Sequence, residues 1–179
     1  MKYIAVLFTI IALLLVGCSN KEVNPVSANQ LNKQDPAAGL LKSSKNFQAH
    51  LNGGAEVSPA NTNAQGEAIF KLSKDGNSIY YKLIVSNIYN VRMAHIHLGP
   101  AGTNGGIVVW LYPSAPPMQL IPGRYDGILA EGTITKSNLT GVLASNTLTD
   151  LLNAMENGNA YVNVHTDQYP GGEIRGQIK

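Results

Sequence analysis

Two imidazoles, His95 and His97, sit two residues apart in the apolar run Ala94-His95-Ile96-His97-Leu98, and a third, His165, lies in a similar run near the C-terminus. Successive strand side chains point to opposite faces, so His95 and His97 share one face while Ala94, Ile96 and Leu98 share the other. Around His165, Tyr161 and Asn163 take the histidine's face, opposite Val162 and Val164. At the C-terminus Glu173, Arg175 and Gln177 oppose Ile174, Gly176 and Ile178. Were these three strands neighbours, His95, His97 and His165 would form one polar patch with Asn163, Glu173 and Arg175, pointing away from the core. Three neutral imidazoles with a fourth position free can hold copper or zinc. Glu173 would then orient a ligand histidine, and Arg175 would attract an anion to the free position. The same residues admit a plainer reading: histidines that donate to backbone or carboxylate groups, and a Glu173–Arg175 surface ion pair of small energetic value. His50, the remaining histidine, reads as an exposed strand residue.

The elements that must position these residues are short strands. Alternation of apolar and polar side chains marks 47–51, 67–72 and 79–86, and Lys74-Asp75-Gly76-Asn77 reads as a hairpin turn. The strand 91–98 carries the histidine pair and runs into Gly99-Pro100-Ala101-Gly102-Thr103-Asn104-Gly105-Gly106, too glycine-rich for regular structure. Residues 107–112, with the single tryptophan Trp110, form a continuous apolar run that suits a strand covered on both faces. Pro113, Pro116, Pro117 and Pro122 make the next segment a loop, and 127–135 reads as a strand. One helix is expected. Thr147 caps it with Asp150 in the capping-box position, Leu148, Leu151, Leu152 and Met155 form its apolar face, and Gly158 ends it. Strands at 160–166 and 173–178 complete the chain. About eight short strands and one helix predict an all-β fold, a single β-sandwich or flattened barrel. Tyr80, Tyr81, Tyr89 and Tyr112 read as strand packing.

The first 45 residues are different in kind. A basic start at Met1-Lys2, an apolar run from Tyr3 to Val16 and the closing Leu15-Val16-Gly17-Cys18 describe an export signal, too short for a comfortable membrane span of ~20 residues. Leu15-Val16-Gly17-Cys18 resembles the lipobox of bacterial lipoproteins, which implies cleavage after residue 17 and lipidation of Cys18. The alternative is a plain signal peptide with an incidental cysteine. With one cysteine in the chain, no internal disulfide forms. Residues 18–45 are polar and aperiodic, as suits a flexible tether, and 46–179 is the folded domain. Loss of Lys2 with the signal takes the formal charge from +2 to +1, with no basic patch for nucleic acid. The chain has no Gly-x-Ser-x-Gly elbow, and residues 99–106 lack the Gly-Lys-Ser/Thr ending of a phosphate loop. Ser19 after the cysteine favours an outer-membrane or cell-surface address.

A family resemblance runs through these blocks. Phe47-Gln48-Ala49-His50-Leu51-Asn52-Gly53, Glu56-Val57-Ser58-Pro59 and Ala64-Gln65-Gly66 come first. Ala94-His95-Ile96-His97-Leu98-Gly99-Pro100-Ala101-Gly102 stands in the middle. Ala160-Tyr161-Val162-Asn163-Val164-His165-Thr166 and Pro170-Gly171-Gly172-Glu173-Ile174-Arg175-Gly176-Gln177 close the series. In this order they resemble the chordin-type CHRD domain, with Ser58 where the family usually has a proline. The family is shared by chordin, an extracellular antagonist of bone morphogenetic proteins, and by many bacterial exported proteins. The resemblance implies an immunoglobulin-like Greek-key barrel similar to that of copper–zinc superoxide dismutases, echoed in His95, His97, His165 and the segment around Arg175. No histidine lies between His97 and His165, so the imidazolate that bridges two metals in those enzymes has no counterpart, and the zinc ligands are missing. The leading expectation is therefore a non-catalytic binding or interaction module of the cell envelope. It would be anchored in the membrane through Cys18 and meet an envelope or extracellular protein or a glycan. The alternatives are a mononuclear copper or zinc protein using His95, His97 and His165, without dismutase activity, and an architectural envelope protein.

Overall fold

The computed structural model describes residues 45–179; Cys18, the signal 1–17 and the tether up to residue 44 lie outside the described residues. Seven strands and one α-helix follow in order: β1 (Asn46–Asn52), β2 (Gln65–Leu72), β3 (Ile79–Leu98), β4 (Ile107–Tyr112), β5 (Ile121–Ile134), α1 (Leu148–Glu156), β6 (Ala160–Thr166) and β7 (Ile174–Gln177). Every pairing is antiparallel. The fold is all-β, a flattened barrel with one short helix.

β3 organises it. Its first half pairs with β2 and β5, and its second half with β4 and β6. β6 continues to β7, β7 meets β1 through Asn52 and Arg175, and β1 returns to β2, which closes the ring. The inward row is apolar throughout, including Leu51, Phe70, Ile79, Leu83, Ala94, Ile96, Val162 and Val164. α1 buries Leu148, Leu151, Leu152 and Met155. The Thr147 backbone N–H donates to Asp150 Oδ2 at 2.8 Å, which is the cap expected from the sequence. Gly76, at φ 74°, forms the expected turn between β2 and β3.

Two expectations change. The predicted strands 79–86 and 91–98 are halves of one twenty-residue strand. They are separated by Asn87 and Asn90, both left-handed at φ 55° and 51°, where β3 bends from its pairing with β2 to its pairing with β4 and β6. The segment at Pro122, expected as a loop, lies in β5. Pro122 and Gly123 together oppose Asn90 in a bulge, so the N–H that proline lacks falls where the ladder is already interrupted. Asn90 Oδ1 accepts instead from the Gly123 N–H at 2.7 Å.

Candidate functional site

The order β3-β6-β7 is the arrangement that the polar face required. His97 stands opposite Tyr161, His95 opposite Asn163, Met93 opposite His165, and Asn163 opposite Arg175. The face points away from the apolar core, but it is not a surface. His95, His97, Asn163, His165, Glu173 and Arg175 are all buried. The loop 99–106 lies over one side of it, where the Gly105 N–H donates to the Tyr161 hydroxyl at 3.1 Å. A Cβ on Gly105 would stand 1.4 Å from the Leu98 carbonyl oxygen, so only glycine permits this close approach.

Arg175 clamps that loop. Its Nη2 donates to the carbonyls of Pro100 (3.0 Å) and Thr103 (2.9 Å), and its Nη1 to Asn104 Oδ1 (3.3 Å). The guanidinium carbon lies 3.5 Å from the centre of the Tyr161 ring. Its donors face protein acceptors, so in place of the expected anion attractor Arg175 is a positioning residue. The expected surface pair with Glu173 is replaced as well: Glu173 accepts from the hydroxyls of Thr62 (2.6 Å) and Thr166 (2.7 Å). His50 is exposed on β1, 3.2 Å from Glu67.

The three histidines converge. One ring nitrogen from each of His95, His97 and His165 lies within 4.8 Å of the others. His97 Nδ1 is 2.9 Å from the Gly105 carbonyl oxygen and His165 Nδ1 is 3.0 Å from that of Pro170. A carbonyl only accepts, so both Nδ1 atoms carry the proton and both Nε2 atoms present lone pairs. Backbone carbonyls, and not Glu173, thus orient these rings. His95 Nδ1 lies 3.3 Å from His165 Nε2, and the Nε2 atoms of His95 and His97 are buried without a hydrogen-bond partner. His97 stacks on Tyr161 with ring centres 5.0 Å apart, and His95 meets Trp110 edge to face at 4.3 Å.

Burial keeps the cluster neutral. It pulls His95 down to about 3 and His165 to about 4, helped in each by a neighbouring imidazole and resisted at His165 by the Pro170 carbonyl. His97 is lowered too, by burial first and by the Arg175 charge, against the pull of the Gly105 carbonyl. Neutral imidazole is the form that binds metal.

One buried carboxyl went unremarked in the sequence. Glu56 is 8% exposed and burial pushes it up to about 7, against the charge of Arg175 and a hydrogen bond from Asn163 Nδ2 at 3.3 Å. Its Oε1 and Asn163 Oδ1 are both buried without partners, and both crowd Gly172, where a Cβ would lie 2.7 and 2.5 Å from them. Protonation removes the charge from this buried carboxyl and gives Oε1 a hydrogen to donate, which suits an oxygen that no protein donor meets. Nothing in the polar alternation marks Glu56, which sits in a loop after a 3-10 turn at Gly53–Ala55.

A closed all-β barrel with a histidine cluster buried under its loops is the class that fold and site define. Residues 47–178 match the CHRD domain family, and the chain belongs to that family. No curated protein and no solved structure gave a match.

Proposed function

We propose that this chain is an exported lipoprotein whose CHRD domain binds one copper or zinc ion through His95, His97 and His165. The observation that carries this reading is the 3.3 Å between His95 Nδ1 and His165 Nε2. Two nitrogens on one tetrahedral ion, each ~2.0–2.1 Å from it, stand about 3.3 Å apart. The His97 and His165 rings are also pre-set by carbonyls on their far nitrogens, the outer support that metal-bound histidines ordinarily have. Membrane attachment rests on Leu15-Val16-Gly17-Cys18 alone. Two or more acyl chains would hold the domain stably at the envelope, with the polar tether giving it reach. In that setting the domain serves as a binding module for an envelope or extracellular partner, with the ion as part of its equipment.

Metal analysis of the purified protein after exposure to copper and to zinc tests the site. The expected result is close to one equivalent per chain, lost in a His95→Ala/His97→Ala variant of unchanged fold by circular dichroism. Equal metal content in the two proteins overturns it. Intact-mass measurement of the membrane fraction beside a Cys18→Ser variant tests the anchor; a mature mass without added acyl groups refutes it.

A further inference from the structure

A cleft lies away from the histidines, at the bend of β3. Its volume is about 620 Å³, and it is lined by side chains of β3, of the loop before β2 and of the loop before β7. Tyr89 stands in its wall, 52% exposed, the most exposed aromatic among the described residues. The sequence pattern placed this ring in strand packing, yet its place between two left-handed asparagines turns it outwards. Non-glycine residues at positive φ cost energy and persist where the surroundings hold them. The surroundings do hold them here. The Asn87 N–H donates to Asp126 Oδ1 at 2.8 Å, Arg124 Nη2 donates to Asn87 Oδ1 at 2.7 Å, and Asn90 is tied to Gly123. The bend is therefore built to a shape, and the cleft is its consequence.

The chemistry of the lining selects a ligand class. Among the described residues no lysine or arginine lines the cleft, which disfavours a phosphate or sulfate. Its one carboxylate, Glu173, is already engaged by two threonine hydroxyls, which leaves little for a cation. What remains is the side-chain amides of Asn61, Asn63 and Gln168, which make no side-chain hydrogen bond among the described residues, and the amide NH2 of Asn87. Each full amide offers a donor and an acceptor side by side, which matches a ligand whose every group is both, a hydroxyl. An exposed tyrosine ring adds an apolar platform with a polar edge.

We propose that this cleft is a binding site for a neutral saccharide, whose C–H face packs on Tyr89 and whose hydroxyls meet Asn61, Asn63, Asn87 and Gln168. The site is independent of any ion at the histidines. It would give an envelope-anchored module a polysaccharide to hold.

The test is isothermal titration of the full chain with hexasaccharides of β-1,4-glucose, α-1,4-glucose, β-1,4-N-acetylglucosamine and β-1,4-mannose. The expected result is saturable binding of at least one of them, with the same affinity in the presence of excess zinc or chelator. Tyr89→Ala should weaken it at least tenfold, Tyr89→Trp should retain it, and Asn63→Ala should weaken it severalfold, with unchanged melting temperatures. Failure of all four sugars to bind, or equal affinity in Tyr89→Ala, overturns the proposal. The metal measurement above stands or falls separately.

Discussion

Acidifying the metal-free domain from pH 7 to pH 4 is expected to lower its unfolding free energy by a few kcal/mol, steeply for a protein with so few charges. The sign follows from the three histidines. Their folded pKa values lie below the ordinary 6.5, at about 3 for His95 and about 4 for His165, with His97 lowered as well. The unfolded chain therefore binds protons below 6.5 that the folded one refuses, and stability is lost as pH falls through that window. Glu56 works the other way. Its pKa is raised from 4.5 to about 7, so its contribution is complete below 4.5 and lost as pH rises through 7, a difference of about 3 kcal/mol. Three histidines outweigh one carboxyl, and the net slope is acid loss. Glu56→Gln separates the two effects, because its amide is neutral at every pH. That variant should gain on the wild type at pH 8 and lose stability more steeply below pH 6.5. Urea unfolding at pH 8, 7, 5.5 and 4.5 measures both. A stability that is flat or rises towards pH 4 in the wild type contradicts the buried neutral cluster. Bound metal should raise the whole curve and be released on the acid side, where protons compete for the same nitrogens.

Side-chain alternation carried the local half of this site. It put His95 with His97, and Tyr161, Asn163 and His165 together, because strand period fixes faces without knowledge of partners. Which strands adjoin is a non-local matter that alternation left conditional, and the order β3-β6-β7 supplies it. Burial was harder to read. Gly99 to Gly106 has the composition of an exposed loop, and only the fork of Arg175 and the Tyr161 hydroxyl show that it lies over a polar face. The same blindness hid Glu56 and suggested a surface pair for Glu173. The gap between the strands read at 79–86 and 91–98 holds Asn87 and Asn90, whose left-handed backbone is common in turns. Paired bulges with β5 let one strand carry them, and the cleft at Tyr89 exists because of that.

Arg175→Leu is expected to be the most damaging single substitution on the polar face, costing about 3–5 kcal/mol, or a melting temperature lower by about 10 °C or more. The side chain is 1% exposed and supplies the donors for two loop carbonyls and the cation facing Glu56 and Tyr161. Leucine fills much of the space but leaves the Thr103 carbonyl without a donor, at about 1–3 kcal/mol if it stays buried, and leaves the Pro100 carbonyl with the Thr103 N–H alone. It also strips Glu56 of the one charge that eases its ionisation, which drives that carboxyl further towards the neutral form. Lysine rescues only in part, since a single ammonium on a flexible stem cannot reproduce a planar fork. The effect should reach the histidines. His97 Nδ1 is held by the Gly105 carbonyl, and Gly105 belongs to the loop that Arg175 clamps. Loosening that loop frees the ring, so metal affinity in Arg175→Lys should fall by about 10–100-fold, the usual cost of losing an outer partner of a metal-bound histidine. Thermal melts of Arg175→Leu and Arg175→Lys, with zinc titrations of the lysine variant, distinguish a clamp from a spectator. A leucine variant within 1 kcal/mol of the wild type would mean that the Tyr161–Gly105 and Gln177–Gly99 hydrogen bonds hold the loop unaided.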